Sequence, residues 1–404
     1  MYYSLISEKA IMLEKSYYLS IILQAKKIED SGVTVIKLSS GDPGFNTPKS
    51  ILMSASLSLD KCINEYTSVR GKTELLNSVQ IRLNKALGLY YELDQIISTI
   101  GVKGALSLAF DSLINPGDKV LLFAPYWINY ITQIKIAGGI PIVVYGDHKN
   151  NYLPNLQEFK KIFNKNIKIV LLNTPNNPSG YVMNKQHLIS IMKIIENSAA
   201  TVISDEIYMY LLFDGLKHVS FASISQNAYK RTLVLTGVSK SYLMPGWRVG
   251  IAAGPKKIIN AMSNIQRERY SCITNIAQST AAFAFRESSS VKYEMNYIKQ
   301  IYFKRRSLLE QLISILPNIK WCKPSGTFFA LLDFSVWINI LSNSNHNIKN
   351  DIDLSYRFLN DINVLVFPGS LFGAKNTIRV SLASTSKDLI EGLNRILKWF
   401  KLLK

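Results

Sequence analysis

Short apolar runs separated by segments of helical spacing recur along most of the chain. Apolar residues within 75–87, after Gly71, and within 105–114 fall at the three- and four-residue intervals of amphipathic helices. The second of these ends at Asn-Pro-Gly-Asp (115–118), a strong turn signal. The runs 119–124, 167–172, 200–204 and 232–236 are short and mainly apolar and read as buried strands. Such strands divided by helices predict an α/β fold, a mostly parallel sheet covered on both faces. From about Ser290 the pattern changes. A long helical stretch, 293–315, leads to Gly-Thr-Phe-Phe-Ala-Leu-Leu-Asp (326–333) and Ile-Arg-Val-Ser-Leu-Ala (378–383), the pattern of a smaller α+β unit. The polar stretch 341–349 predicts an exposed loop, and no internal repeat is present.

Composition narrows the possibilities. The 404 residues are 48% apolar, enough for a large core and too apolar for a mainly disordered chain. Lysine and arginine number 47 against 28 acids, a net charge of +19, yet charged residues are only 19% of the chain. The basic excess therefore reflects scarce acids as much as abundant lysine. Lysine pairs such as Lys26-Lys27, Lys160-Lys161 and Lys256-Lys257 are scattered, with no basic run interleaved with aromatics, so no nucleic-acid partner is expected. The uncharged stretch 120–134 holds Pro125 and Asn129 and is too short and broken to span a membrane; it predicts a buried strand plus a turn. The N-terminus lacks the basic and apolar regions of a signal peptide. Three widely spaced cysteines (Cys62, Cys272, Cys322) fit neither a disulfide framework nor a metal knuckle. A reducing, cytoplasmic setting without a metal site is expected.

In parallel α/β folds ligands sit at the carboxyl ends of the strands, so the residues that follow each strand matter most. Asn-Thr-Pro-Asn-Asn-Pro-Ser-Gly (173–180) follows the second, Asp205-Glu-Ile-Tyr208 the third, and Gly-Val-Ser-Lys240-Ser the fourth. Asparagine, aspartate with tyrosine, and lysine are the groups a pyridoxal phosphate site needs: an amine for the imine, a carboxylate for the ring nitrogen and donors for the ring oxygen.

Nine segments in order carry a resemblance: Gly41-Asp-Pro43, Glu65-Tyr66-Thr, Gly101-Val-Lys103, Ala124-Pro-Tyr-Trp127, Asn176-Asn177-Pro-Ser-Gly180, Ser204-Asp205-Glu-Ile-Tyr208, Ser239-Lys240-Ser, Gly246-Trp-Arg248-Val-Gly250 and Ile378-Arg379-Val-Ser. Over essentially its whole length the chain resembles the fold-type I, class I aminotransferases of the aspartate and aromatic group. The resemblance implies a large domain at 46–287 with a mostly parallel sheet between helices. It also implies a small α+β domain at 288–404, completed by an N-terminal arm at 1–45. Lys240 would form the imine and move the proton, Asp205 would pair with the ring nitrogen, and Tyr208 and Asn177 would bind the ring oxygen. Trp127 would stack on the ring. Arg248 would hold the phosphate with the N–H groups of Val102 and Lys103. Tyr66 would reach the phosphate of the other subunit's site, which implies a homodimer. Arg379, helped by Gly41 N–H, would bind the substrate α-carboxylate.

The resemblance further implies amino-acid and 2-oxo-acid substrates, with aspartate and 2-oxoglutarate as the expected pair. Lys103 stands where one subgroup recognises an acidic side chain. Arg267, in Arg267-Glu-Arg269-Tyr270-Ser271-Cys272-Ile273, stands where another uses a partner-subunit arginine, although that subgroup's Asn-Pro is Cys-Ile here. A charge pair with Glu268 is the plainer reading of Arg267. Tyr18 replaces a threonine that faces the substrate side chain in many relatives, and Gly104 stands where a glutamine is common. An aromatic or prephenate aminotransferase is the nearest alternative, and a β-lyase or decarboxylase would share the cofactor set. A cofactor-sensing regulator is disfavoured because the motifs begin by Gly41.

Overall fold

The computed structural model describes residues 5–13, 17–60, 64–146, 150–344 and 348–402. Its strands are β1 (Ile36–Lys37), β2 (Ile96–Ile100), β3 (Lys119–Ala124), β4 (Ile140–Tyr145), β5 (Ile167–Asn173), β6 (Thr201–Asp205), β7 (Thr232–Gly237), β8 (Val249–Ala253), β9 (Lys320–Cys322), β10 (Phe329–Asp333), β11 (Val364–Leu365), β12 (Phe367–Pro368) and β13 (Thr377–Ser381). Seven of these form one sheet in the order β2-β8-β7-β6-β5-β3-β4. The pairs from β4 through β3, β5 and β6 to β7 are parallel, and β8 runs antiparallel to both β7 and β2. Parallel neighbours need crossover connections, here supplied by helices such as Lys185–Ile195 and Gln226–Arg231. Alternate residues enter different cores: Leu122, Leu171, Ile203 and Leu235 on one face, Leu121, Val170 and Val202 on the other. That two-sided burial explains why these runs are mainly apolar rather than alternating.

A second sheet is antiparallel, ordered β12-β13-β10-β9. β1 pairs in parallel with β11, in the register Ile36↔Val364 and Lys37↔Leu365. Residues from near the start of the chain are thus stitched to residues near its end. The helix Tyr17–Asp30 packs Ile21 and Ala25 against Leu359, Leu365 and Phe367. The helix Ser289–Ser314 runs between the two large sheets' segments of chain, where the periodicity at 293–315 predicts it.

Three expectations are corrected. The helix predicted at 105–114 begins four residues earlier, as Gly101–Leu113, directly at the end of β2. Its first turn is Gly-Val-Lys-Gly, which carries no apolar stripe to reveal it. The turn predicted after β3 contains the helix Asn129–Ile136, held because Tyr130 and Ile134 are buried. The loop predicted at 341–349 is entered by the helix Ser335–Ser342, and Ile348 is buried; 345–347 lie outside the described residues. Cys62 also lies outside them, while Cys272 and Cys322 are thiols. Among the described residues no helix is long and apolar enough to cross a membrane.

Candidate active site

The C-terminal ends of β3, β5, β6 and β7 open into one cleft of about 1230 Å³. Lys240 lies in the single helical turn Val238–Ser241 that follows β7. Its side chain is half-buried, and Nζ donates to Gly41 O at 2.6 Å. Burial is the main cause that lowers its pKa to about 8; nearby Arg379 and Arg248 push the same way and Asp42 opposes them. The amine is therefore neutral more often at physiological pH than an ordinary lysine.

Asp205 ends β6 and is buried. Its Oδ2 accepts from Tyr130 Oη at 2.6 Å and its Oδ1 from Ile207 N at 3.1 Å. Burial raises its carboxyl to about 6 in spite of these donors. A cation placed against it would reverse that displacement, as the protonated nitrogen of a pyridine ring would. Tyr208, three residues on, is buried, and burial raises its phenol above the ordinary range.

Arg379 on β13 is 3% exposed. It donates from Nη1 to Asn177 Oδ1 and from Nη2 to Ser39 O, both at 3.0 Å. The guanidinium carbon lies 4.3 Å from the ring centre of Phe329, 4.6 Å from Phe372 and 5.4 Å from Phe367. Among the described residues no carboxylate pairs with it, and its Nε is buried without a partner. Burial lowers its pKa to about 10. A buried guanidinium with no counter-charge is costly on its own and well disposed to an incoming carboxylate. Asn177 is held in turn by its N–H, which donates to Asn173 Oδ1 at 3.0 Å.

Another part of the cleft lining forms an anion cradle. Gly101 has φ 65°, and its N–H donates to Arg248 O at 3.0 Å. A Cβ on Gly101 would come within 2.4 Å of Arg248 Nη2, and one on Gly250 within 2.2 Å of the Gly101 carbonyl carbon. Glycine at both positions brings a helix N-terminus and Arg248 together. That helix has no side-chain cap, so N–H groups of its first turn, including Val102 and Lys103, remain for an anion. Arg248 is exposed, and its Nη1 donates to Pro245 O at 2.8 Å.

Trp127 is half-buried and meets Tyr130 edge-on, with ring centres 5.5 Å apart. Tyr18 lines the cleft and stacks on Phe367 at 4.4 Å. Gly41, Val102, Lys103, Trp127, Asn177, Asp205, Tyr208, Lys240, Arg248, Arg379 and Tyr18 therefore all border one cleft. Tyr66 does not: it is 89% exposed. Nor does Arg267, whose Nε pairs with Glu268 Oε1 at 2.8 Å on the surface, the plainer reading of that residue. Sequence reasoning missed Tyr130 and Asn173. Nothing in the sequence pattern marked Tyr130, which lies near the start of the helix Asn129–Ile136. The donor set fits pyridoxal phosphate: a carboxylate in need of a cation, an amine, an uncovered helix terminus with an arginine, and an aromatic ring, Trp127, on the same cleft.

The fold and this site together define an aminotransferase. The model of the aminotransferase class I and II family matches residues 33–396. The chain is 33% identical over 397 residues to an aspartate aminotransferase of Bacillus sp. strain YM-2, covering 98% of this chain and 99% of that one. It is 32% identical over 386 residues to a probable aspartate/prephenate aminotransferase of Aquifex aeolicus, covering 96% of each. The crystal structure of the aspartate aminotransferase from Rhizobium meliloti superimposes with a TM-score of 0.93, at 28% identity and 98% coverage of both chains. The chain belongs to the class I and II aminotransferases.

Proposed function

We propose that this enzyme uses pyridoxal phosphate to move the amino group of L-aspartate to 2-oxoglutarate. The observation that carries the reading is Arg379: a buried guanidinium without an acidic partner, set in the same cleft as Lys240 and Asp205. When bound, the cofactor supplies an electron sink for the bond to the substrate's Cα. Asp205 holds the ring nitrogen protonated, while Tyr208 and Asn177 orient the ring oxygen. Trp127 stacks on the ring. Arg248 and the first-turn N–H groups of Val102 and Lys103 hold the phosphate. Arg379 and Gly41 N–H fix the α-carboxylate, and Lys240 Nζ carries the proton to and from Cα. The pKa of about 8 supports that role, because a general base works best near the operating pH.

The acidic side chain would meet Lys103 and, from a second copy, Arg267; Tyr66 would reach the second copy's phosphate. A homodimer in the cytoplasm is part of this reading. So are domain boundaries at 45/46 and 287/288. They draw support from the β1–β11 pairing and from Glu287, left-handed at φ 49° between the helices Asn275–Arg286 and Ser289–Ser314. One observation favours a second reading, an aromatic or prephenate donor: the Tyr18–Phe367 stack gives the cleft an aromatic wall beside Arg379.

Absorbance of the purified protein with pyridoxal phosphate tests both. A visible band bleached by aspartate is expected, absent from Lys240→Ala, with borohydride fixing the cofactor to Lys240. Aspartate turnover with 2-oxoglutarate should exceed that of phenylalanine; a tenfold excess for phenylalanine would establish the second reading instead.

A further inference from the structure

One buried charge beside the site takes no part in the steps above. Glu206 directly follows Asp205, is fully buried, and does not border the cleft. Its Oε1 accepts from Ser204 Oγ at 2.8 Å and from Ser220 Oγ at 2.7 Å. Its Oε2 meets His218 Nε2 at 2.8 Å, and the His218 side chain is only 3% exposed. His218 Nδ1 is buried with no hydrogen-bond partner among the described residues. The ring is thus polar toward Glu206 alone. The phenols of Tyr91 and Tyr210 face Glu206 from two other elements. Arg82, which donates to Tyr210 Oη at 2.9 Å, is committed to Glu287 at 2.6 Å. Around Asp205 the ionisable neighbours are Tyr130, Tyr208 and Glu206.

Burial is the main cause that holds Asp205 toward its neutral form, and the adjacent buried Glu206 adds a smaller push in the same direction. A neutral Asp205 has no charge to offer a pyridinium. We propose that the Glu206–His218 hydrogen bond forms a positioning unit behind Asp205, in which the imidazole offsets the Glu206 charge so that Asp205 can remain ionised against the cofactor nitrogen. The unit acts through Asp205 and touches neither cofactor nor substrate. This proposal rests on the functional reading above. It adds that His218, thirteen residues beyond Asp205 in the chain, sets how strongly the cofactor is held.

The test is equilibrium titration of the cofactor-free protein with pyridoxal phosphate from pH 6 to pH 9. In His218→Gln the Glu206 charge stands alone. Its dissociation constant should rise at least tenfold near neutral pH, with the deficit widening as pH falls. In the double variant Glu206→Gln/His218→Gln the second charge is gone, and the constant should return to within threefold of the parent. Glu206→Gln alone, which can still accept from both serines, should bind at least as tightly as the parent. A merely structural pair would behave otherwise: the double variant would be no better than His218→Gln, and the deficit would not change with pH. Either result overturns the proposal, as does His218→Gln binding within twofold of the parent. If His218→Gln does not fold, Glu206→Gln decides, and tenfold weaker binding there overturns the proposal. Parent protein that takes up no pyridoxal phosphate would overturn the functional reading itself, a separate outcome.

Discussion

Lys240 and Asp205 are displaced in opposite directions by one cause. Burial disfavours the charged form of each, so the amine moves down to about 8 and the carboxyl up to about 6. For Asp205 the consequence can be measured without cofactor. The folded chain holds the proton more tightly than the unfolded one, whose carboxyl titrates near 3.8. Stability therefore falls as pH rises from about 4 to about 6 and stays reduced above, by about 3 kcal/mol. Denaturant titration of the cofactor-free Asp205→Asn protein should show no such loss, leaving it more stable than the parent at pH 8 and not at pH 4. Bound pyridoxal phosphate should abolish the difference. These two residues were legible in the sequence because they stand at strand ends in a regular α/β pattern. Tyr130 was not, because its helix hides in an uncharged run. Nor was the aromatic bed of Arg379, whose members come from β10, β12 and the 369–372 turn, far apart in the chain.

At the level of elements, the approach of β8 to the Gly101–Leu113 helix makes the anion cradle. Alanine at position 101 must adopt a left-handed φ and displaces the Arg248 guanidinium. Gly101→Ala should weaken pyridoxal phosphate binding about tenfold, the effect of about 1–2 kcal/mol of strain and lost contact. The far-ultraviolet circular dichroism should be unchanged. A second joint lies behind Lys240. Arg82 pairs with Glu287 at 2.6 Å and donates to Tyr210 Oη at 2.9 Å, and Tyr242 Oη donates to Glu287 at 3.0 Å. This network ties the turn after Lys240 to the point where the chain enters the Ser289–Ser314 helix. Removing one partner leaves the other charge largely buried, so Glu287→Ala should cost about 3 kcal/mol in denaturant unfolding. The sequence showed the helix that follows Glu287, but a network of four residues from separate elements leaves no periodic trace. The helix start at Gly101 was missed for a related reason: its first turn is shaped for the site rather than for the core.

For the whole molecule, the helix Lys49–Asp60 presents Leu52, Met53 and Leu57 to solvent at 41%, 69% and 66% exposure, with Tyr66 beyond its end. An apolar face of this kind on one copy fits a second copy of the same chain. Sedimentation should give a dimer. Leu57→Asp should shift it toward monomer and, on the proposed dimer, lower turnover at the same time, because Tyr66 and Arg267 do not border the cleft of their own copy. The α/β architecture and its smaller companion were readable from periodicity alone. How the two ends of the chain meet was not, because β1 and β11 are two residues each.

That short pairing has a consequence for biosynthesis. Lys240, Asp205 and the anion cradle are all translated before residue 251, and Arg379 emerges well over a hundred residues later. A nascent chain on the ribosome therefore carries Lys240 and Asp205 while its N-terminal segment still waits for β11 and Arg379 has not yet been made. A chain ended after β8 would lack Ile259, Met262, Ile298, Tyr302 and Phe328, which share one core with Tyr208 and Leu235, so the cleft should close only as the later helices are added.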